Sequence, residues 1–390
     1  MTNNNKVYAV KCEDYKYVDL KLKELFKMMG GISLFVKKGE KVILKPNLLQ
    51  GTEPEKAVTT HPEIIMSAGR LVKEAGGKPL IADSPGAGYK YNKKTLEKIY
   101  KDCSIYDSAV KNNIKLNYNT EYKTVFYPEG KLIKRFEIIE PVLNADCVFN
   151  LCKLKTHVLM HMTCAIKNNF GVIPGLSKPG YHAKLDNKMY FAGMLLDLSA
   201  YVSPIVTIVD AIVGLEGEGP GSSGHPRHVG WILASVNQLA LDVVAGEMMG
   251  IKQDFNPVLK EAENRGMFPV RLRDVEIIGA EISEMIVKDY KRPVSYAEGT
   301  KFTDLAPIQK IVEPLLKTGT SLKPVILKDK CIKCGVCIKA CPVNAIKYYK
   351  NQYAKIIKQE CIRCYCCHEM CQSKAVKLKK SVIYRILNLY

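Results

Sequence analysis

The chain has 390 residues, of which 47% are hydrophobic and 25% are charged, a composition typical of folded globular proteins. Its length exceeds the size at which one hydrophobic core usually keeps growing, so we expect two folded units. The formal net charge is +19, and residues 322–390 alone carry 15 Lys and Arg against three Asp and Glu. These values exclude a disordered or collagen-like chain and predict that the basic part of the molecule is its C-terminal end.

The N-terminus contains no apolar signal segment, and the most apolar stretch, residues 201–215, is interrupted by Pro204 and Asp210. That stretch is also too short to span a bilayer. Nine of the 14 cysteines lie between Cys331 and Cys371, a clustering that indicates metal binding in a reducing compartment. These features predict a cytoplasmic protein without a membrane segment.

Apolar runs typical of strands alternate with helical patterns over the first 300 residues, and this alternation predicts a parallel sheet covered by helices. The predicted strands are residues 7–10, 41–45, 79–83, 147–151, 205–209, 231–236 and 275–278. The predicted helices are residues 20–29, 63–75, 189–201 and 237–249. The fold class predicted for residues 1–320 is therefore an α/β body with a mainly parallel sheet.

Polar residues follow several of these strands, at the sheet edge where open α/β folds bind ligands. Asn47, Asp83 and Asp210 each follow a predicted strand, and His61 lies at the start of a helix, where anions bind. Each also has an alternative role, because Asn and Asp are common in turns and polar residues cap helices. We expect these four residues to bind substrate.

The densest polar segment is residues 153–184. His157 and His161 are four residues apart, so a helix would place both on one face, a spacing that suits a metal site or an acid–base pair. We expect Lys167 to bind an anionic group or stabilise negative charge, and His182 and the other two histidines to move protons. The alternative is a capped helix with surface lysines and a structural core histidine. These four residues are the catalytic candidates.

Residues 214–227 form a glycine-rich segment after a predicted strand. The segment contains no Gly-Lys-Ser/Thr and matches neither of the glycine patterns that bind nucleotide phosphates. We therefore expect a mobile loop rather than a nucleotide site.

The C-terminal segment contains the cysteine spacing C-x2-C-x2-C-x3-C twice. In such repeats three cysteines bind one iron–sulfur cluster and the fourth binds the other cluster. Zinc is the alternative, but tetrahedral zinc sites use four ligands in pairs and need no second full quartet. The spacing therefore predicts two [4Fe-4S] clusters, one on Cys331, Cys334, Cys337 and Cys371 and the other on Cys361, Cys364, Cys367 and Cys341.

The second repeat departs from the first. Gln372 stands where the first repeat has Pro342, and Tyr365-Cys366 stands where it has Gly335-Val336. Cys366 falls outside the ligand spacing, so we expect a packed free thiol rather than a ligand.

The cysteine segment resembles the bacterial two-cluster ferredoxin family, with short strands predicted at residues 345–349 and 354–357. This resemblance implies a small α+β ferredoxin-like domain at residues 321–380, followed by a tail at 381–390. The body resembles domain-of-unknown-function family 362 over about residues 6–280, and members of that family often carry a C-terminal ferredoxin domain. The resemblance rests on Lys-Pro-Asn-Leu at 45–48, Thr-His-Pro at 60–62, Asp-Ser-Pro-Gly at 83–86, Lys-Thr-His at 155–157 and Ile-Lys-Asn-Asn-Phe-Gly-Val-Ile-Pro-Gly at 166–175.

The order of Asp146, His157, Lys167 and His182 is also similar to that in nickel-pincer lactate racemases. This similarity implies a pocket in which the lysine anchors a cofactor and the histidines bind nickel or move protons. Lys167 does not lie in the glycine-glycine context of those enzymes, so we carry over the pocket and not the nickel cofactor. A further metal or organic cofactor in the body stays open.

Together these features predict an anaerobic iron–sulfur oxidoreductase that passes electrons through its clusters to a substrate or cofactor in a His/Lys pocket. The expected partners are a low-potential electron donor, such as ferredoxin or a redox enzyme, and an anionic small molecule. We expect neither a membrane nor a nucleic acid as partner. Two alternatives are an electron-transfer protein that serves a partner enzyme and a non-redox isomerase or racemase-like enzyme with structural clusters.

Overall fold

The computed structural model describes residues 5–185, 187–296, 322–349 and 353–380. The first two ranges form the α/β body, and the last two form a small cysteine-rich unit, here called the cysteine module. The predicted domain boundary at 320–321 and the predicted tail at 381–390 lie outside the described residues, so both stay predictions.

The centre of the body is a nine-stranded mixed sheet. The strands of the body are β1 (Lys6–Lys11), β2 (Lys41–Lys45), β3 (Lys78–Ile81), β4 (Lys115–Leu116), β5 (Tyr122–Phe126), β6 (Arg135–Ile139), β7 (Cys147–His157), β8 (His161–Thr163), β9 (Val206–Gly217), β10 (Gly224–Ser235) and β11 (Glu276–Ile278). The sheet order is β11-β1-β10-β9-β7-β2-β3-β4, with β8 on β7, while β5 and β6 form a separate hairpin. Most neighbouring pairs are parallel, and the antiparallel ones are β1–β10, β10–β9 and β7–β8.

Helices cover both faces of this sheet. They are α1 (Val18–Met28), α2 (Pro62–Glu74), α3 (Lys93–Asp102), α4 (Ile105–Lys111), α5 (Glu140–Leu143), α6 (Ala165–Asn168), α7 (Lys178–Lys184), α8 (Lys188–Val202), α9 (Gln238–Met248), α10 (Pro257–Asn264) and α11 (Ile282–Met285). Among the described residues, no helix is long and apolar enough to cross a membrane.

Strand β2 shows how the two faces are built. Val42 and Leu44 pack with residues of α1 and α2, whereas Ile43 packs with residues of α8 and α9. Successive side chains of a strand point to opposite faces, so a continuous apolar run is what a strand buried on both sides requires. The prediction of an α/β body with a mainly parallel sheet is confirmed.

Two predicted local structures are wrong. The segment from His157 to His161 is the turn of the β7–β8 hairpin rather than a helix, and the two histidines are opposite each other in the strand register. His161 has a φ of 64°, a left-handed conformation that an α-helix cannot contain. Pairing with the buried strand β7 therefore overrides the helical spacing of the sequence.

The glycine-rich segment is also mostly strand rather than loop. β9 and β10 pair along nearly their whole length, which leaves residues 218–223 as the connecting turn. This turn packs against the cysteine module, because a Cβ added at Gly221 would overlap the carbonyl oxygen of Glu369.

The cysteine module is a small α+β unit, as predicted. Its strands are β12 (Lys323–Ile326), β13 (Ile346–Tyr349), β14 (Tyr353–Ile356) and β15 (Val376–Lys379), and its helices are Val336–Lys339 and Cys366–Glu369. β12 pairs with β15 and β13 with β14, both antiparallel. The module contacts the body directly, since Gln372 donates hydrogen bonds to the carbonyl of Gly51 and to the hydroxyl of Tyr89.

Candidate functional site

The cysteines of the two repeats line two cavities in the cysteine module. The empty volumes of these cavities are about 350 and 310 Å³. The fourth cysteine of each repeat lies with the first three of the other repeat, which is the crossed grouping that the spacing predicts. The cysteines are Cys331, Cys334, Cys337 and Cys371 in one cavity and Cys341, Cys361, Cys364 and Cys367 in the other.

The two repeats share the same backbone conformation despite their sequence differences. Gly335 and Tyr365, at equivalent positions, both have a left-handed φ, 73° and 63°. Each repeat also has a backbone N–H pointing at its fourth cysteine, from Ala345 to Cys341 Sγ and from Ala375 to Cys371 Sγ, both at 3.2 Å. The replacement of glycine by Tyr365 therefore leaves the second cysteine loop in the same form as the first.

This donor set fits iron–sulfur clusters better than single ions. In the part of the chain that the structure describes, no three His, Cys, Asp or Glu side chains converge closely enough to hold one metal ion. Four cysteines instead line each of the two cavities. Burial raises the pKa of the Cys337 thiol to about 12, so its thiolate forms only with a positive partner, which bound iron would supply. Cys366 is fully buried and lines neither cavity.

A polar pocket lies between the body and the cysteine module. Its empty volume is about 550 Å³, counted together with its opening to solvent. The body contributes three lysines, one histidine and one aspartate, and the module contributes the carboxyl group of one glutamate. The charged and titratable residues in its wall are Lys155, Lys167, Lys178, His182, Asp83 and Glu369.

The sheet places these side chains at one edge. Lys155 lies near the end of β7, and Asn47 and Asp83 follow the parallel strands β2 and β3, so all three reach the carboxyl ends of neighbouring strands. Lys167 comes from α6 and Lys178 from α7, both of which follow the β7–β8 hairpin. The pocket therefore occupies the position where open α/β sheets bind ligands.

One acid of the pocket is already neutralised. Asp83 and Lys45 form a buried salt bridge of 2.9 Å, and Asp83 also accepts a hydrogen bond from the backbone N–H of Leu48. Burial lowers the pKa of Lys45, and the charge of Asp83 opposes that shift. We therefore assign this pair to the wall of the pocket.

Two buried histidines are held neutral, His182 in the wall of the pocket and His157 outside the lining but next to Glu369. His157 Nδ1 accepts hydrogen bonds from the backbone N–H groups of Leu159 and Met160, so neutral His157 carries its proton on Nε2, 3.4 Å from Glu369 Oε1. Burial, followed by the charge of Lys167, places the pKa of His157 well below its ordinary value and lowers that of His182 to about 3. The expectation that these histidines titrate near neutrality is therefore wrong.

Lys178 titrates closer to neutrality. Burial lowers its pKa to about 7, and its ammonium group donates hydrogen bonds to the carbonyl oxygens of Ser84 and Pro85. Lys178 is thus the better candidate for proton exchange in the pocket.

Four of the predicted site residues lie outside the lining of the pocket: His157, which is next to Glu369, and His161, His61 and Asp210. His161 Nδ1 is 2.6 Å from the carbonyl oxygen of Phe255, and burial lowers the pKa of His161 to about 3. Asp210 accepts hydrogen bonds from Lys153 Nζ, the Tyr15 hydroxyl and the backbone N–H of His61, each at 2.9 Å. The prediction that His161, His61 and Asp210 share one pocket with Lys167 and His182 is wrong, because β8, the loop before α2 and β9 place them in other clusters.

The sequence did not indicate Lys155, Lys178 or Glu369 as site residues. The alternation along β7 could have indicated Lys155, since it lies between Lys153 and His157 on one face of a buried strand. Glu369 could not be found in this way, because its role depends on how the cysteine module packs on the body.

The fold and the cysteine cavities define an α/β protein with a ferredoxin-type domain. A family model described as a 4Fe-4S binding domain matches residues 324–347, which supports iron–sulfur binding and electron transfer. The model of a domain of unknown function, DUF362, matches residues 42–247. The chain therefore belongs to the DUF362 family, as the sequence motifs predicted.

Two curated relatives are similar to the chain. Thylakoid-associated protein sll1697 of a Synechocystis species is 31% identical over 274 residues, which cover 70% of this chain and 82% of that protein. The delta subunit of an NADH-dependent phenylglyoxylate dehydrogenase from Aromatoleum evansii is 42% identical over 45 residues, 11% of this chain and 48% of the subunit. The chain thus matches about half of the dehydrogenase subunit.

Among solved structures, the lactate racemase apoprotein from Thermoanaerobacterium thermosaccharolyticum is a distant neighbour. The TM-score is 0.37 at 12% identity, and the match covers 61% of this chain and 55% of the racemase.

Proposed function

We propose that the chain is an iron–sulfur oxidoreductase that holds two [4Fe-4S] clusters and passes their electrons to a small molecule in the pocket. The observation that carries this proposal is the position of Glu369. In sequence it lies between Cys367 and Cys371, one from each cysteine cavity, and its side chain lines the pocket together with Lys155 and Lys167. A molecule in the pocket would therefore be adjacent to the segment that carries cluster ligands.

The equivalence of the two cysteine repeats supports two clusters. Both cavities have four cysteines, both loops have the same left-handed positions, and both fourth cysteines accept a backbone N–H. When bound, each [4Fe-4S] cluster transfers one electron at a time. Two clusters would supply the electron pair for reduction of a small molecule.

The residues of the chain would bind the substrate and provide a proton. Lys167 would hold an anionic group, and Lys178 would donate a proton near pH 7 and take one up again from solvent. Neutral His182, in the pocket wall, would orient the substrate by a hydrogen bond, and His157 would position the Glu369 carboxyl group. Asn47 supports this arrangement, since its Oδ1 accepts a hydrogen bond of 2.8 Å from Lys155. In each turnover the electron donor would lose two electrons, and the substrate would gain them with two protons.

The electron donor is proposed to be an acidic, low-potential redox protein. Residues 322–390 carry 15 Lys and Arg against three Asp and Glu. Ile332, Lys333 and Cys334 are exposed at the first cysteine cavity, so an apolar side chain and a positive charge lie next to a cluster ligand. Opposite charge on the donor would speed its encounter with this surface.

The number of clusters is tested by iron and sulfide analysis of anaerobically purified protein. We expect about eight iron atoms per wild-type chain and about four in Cys361→Ala, because one cluster loses a ligand. Cys366→Ala is the matched control, and its iron content should equal that of the wild type. Four iron atoms in the wild-type chain would contradict the second cluster.

The redox function is tested by reducing the clusters anaerobically and following their reoxidation by visible absorbance. The acceptors are a panel of small carboxylates and phosphates that contain a reducible bond. At least one acceptor should reoxidise the wild type, and Lys167→Gln should slow that reaction at least about tenfold by loss of transition-state binding.

Lys184→Gln is the control, because Lys184 is an exposed lysine of α7. Ferricyanide, which needs no pocket, should reoxidise all three proteins equally. Equal rates for Lys167→Gln and wild type with the active acceptor would reject the pocket as the place of reduction.

A further inference from the structure

The pocket contains three lysines that have no carboxylate partner at salt-bridge distance among the residues that the structure describes. Lys155 Nζ donates to Asn47 Oδ1 at 2.8 Å and to the Val58 carbonyl at 2.7 Å. Lys178 Nζ donates to the carbonyls of Ser84 and Pro85 at 2.9 and 2.6 Å. Each of these two ammonium groups therefore has a third N–H that these bonds do not use.

Lys167 has fewer contacts than the other two. Within the described ranges, its ammonium group makes no hydrogen bond or salt bridge. Its Nζ lies 5.7 Å from the centroid of the Phe170 ring. Its side chain is half-buried and lines the pocket. The free donors of all three lysines therefore belong to the wall of one cavity.

The acids of the pocket do not balance these charges. Asp83 is neutralised by Lys45, which leaves Glu369 as the remaining carboxyl group in the wall. With all three lysines protonated and Glu369 ionised, three positive charges face one negative charge. The excess is then two positive charges around the pocket.

Uncompensated charge is costly in such a space, and buried cations normally have anionic partners. Burial lowers the pKa of all three lysines, which is the expected response of cations without enough counter-charge. A bound anion with two negative charges would restore the balance.

We propose that the pocket binds a compact dianion, a phosphate group or a pair of carboxylates, through Lys155, Lys167 and Lys178. This inference rests on the proposed function, because it names the substrate class of the same pocket.

One further group is placed to complete such a site. Ser84 lines the pocket, and its buried Oγ has no hydrogen-bond partner in the described part of the chain. A serine hydroxyl can donate to an anionic oxygen, whereas an empty pocket would leave it unpaired. His157 lies outside the lining, and its Nε2 faces Glu369 Oε1 at 3.4 Å.

The alternative is that the lysines offset the negative charge of the iron–sulfur clusters. The basic residues of the segment 322–390 already provide a formal charge of +12 for that purpose. The two explanations predict different effects of Lys167→Gln. If the lysines bind a dianion, the substitution weakens anion binding. If they offset the charge of the clusters, it shifts the reduction potential of a cluster.

The test is calorimetric titration of the anaerobic holoprotein with inorganic phosphate, succinate, acetate and succinamide. At least one dianion should bind ten times more tightly than acetate, and succinamide should not bind. The ratio of phosphate to succinate affinity identifies the class of dianion. Acetate binding as tightly as both dianions would overturn the inference.

Variants assign the binding to the pocket. Lys167→Gln should weaken the dianion at least tenfold, Lys167→Arg should restore most of the affinity, and the exposed control Lys184→Gln should bind as the wild type does. Unchanged dianion affinity in Lys167→Gln, together with a changed cluster potential in film voltammetry, would overturn the inference and assign the lysine to the cluster.

The binding test separates the two proposals. Dianion binding without reoxidation by any panel acceptor would reject the oxidoreductase and leave the dianion site supported. Reoxidation by a panel acceptor that depends on Lys167, without tighter binding of any dianion than of acetate, would reject the dianion and leave the oxidoreductase supported.

Discussion

Four lysine side chains are buried among the described residues, and their charges are compensated in different ways. Lys45 and Lys153 each lie 2.9 Å from a carboxylate, Asp83 and Asp210. Lys155 and Lys178 donate only to amide and carbonyl oxygens. A buried lysine that is paired needs no ligand, whereas an unpaired one is costly unless a ligand is present. This difference separates residues that hold the body together from residues proposed to bind substrate.

Asp210→Asn should destabilise the body strongly. The substitution leaves the Lys153 ammonium group buried without its carboxylate and weakens the contacts to Tyr15. Removal of one partner of a buried ion pair typically costs about 3–5 kcal/mol. The free energy of unfolding can be measured in urea by the fluorescence of Trp231, the single tryptophan.

Asp289→Asn is the matched control for this prediction. Asp289 pairs with Arg227 at the surface, where such pairs contribute less than about 1 kcal/mol. If Asp210→Asn lowers the free energy of unfolding by less than about 1 kcal/mol, the buried Lys153 does not need this carboxylate as its partner.

His182 should make the body sensitive to acid. Burial lowers its pKa to about 3, against about 6.5 in an unfolded chain, so between these values only the unfolded chain takes up the proton. The contribution of neutral His182 to the free energy of unfolding is complete above about pH 6.5 and is lost as the pH falls toward 3. The loss between pH 6.5 and 5 is about 2 kcal/mol.

His182→Gln should therefore flatten the dependence of unfolding free energy on pH in this window, measured by Trp231 fluorescence in urea. His225→Gln is the control, since His225 is exposed and should leave the slope unchanged. The same slope in all three proteins would show that His182 is protonated in the folded state.

At the scale of elements, the turn of the β9–β10 hairpin packs the body against the cysteine module. Its turn contains Pro220, which lines the pocket, and Gly221, which lies against the backbone of Glu369. The sequence indicated the glycines but not the strands around them, because strand pairing depends on a partner strand and not on local composition.

Gly221→Ala should weaken the packing of the module on the body. The added Cβ would overlap the Glu369 carbonyl oxygen, and relief of such overlap costs about 1–3 kcal/mol. In urea, loss of iron–sulfur absorbance should move to lower concentration while the Trp231 transition changes less. Gly180→Ala is the control, because a Cβ there meets no atom within 4 Å. Equal shifts of both transitions in Gly221→Ala would argue that the contact does not belong to the module interface.

At the scale of the whole molecule, positive charge is concentrated at the cysteine module. If an acidic protein is the donor, its rate of cluster reduction should fall about tenfold when salt rises from about 50 to about 500 mM, because salt screens the attraction. An uncharged chemical reductant should show almost no salt dependence. Stopped-flow absorbance under anaerobic conditions measures both rates, and a donor rate independent of salt would contradict electrostatic docking.

The sequence alone determined the features that depend on neighbouring residues along the chain. The cysteine spacing predicted the grouping of ligands because three of the four ligands of each set lie within seven residues. Alternating apolar runs predicted the α/β sheet, and the motifs at 45–48 and 166–175 indicated the family. Lys167 and Asp83, both selected from the sequence, line the pocket, and their catalytic and substrate-binding roles stay predictions.

Only the tertiary structure decided which polar residues share a pocket. His157 and His161 were expected on one helical face, but the β7–β8 hairpin separates their side chains into different surroundings. Asp210 and His61 lie with Lys153, whereas Glu369 reaches the pocket from a part of the chain more than 200 residues after Lys155. Such contacts join residues distant in sequence, and they arise from sheet order and module packing, for which the local sequence contains no signal.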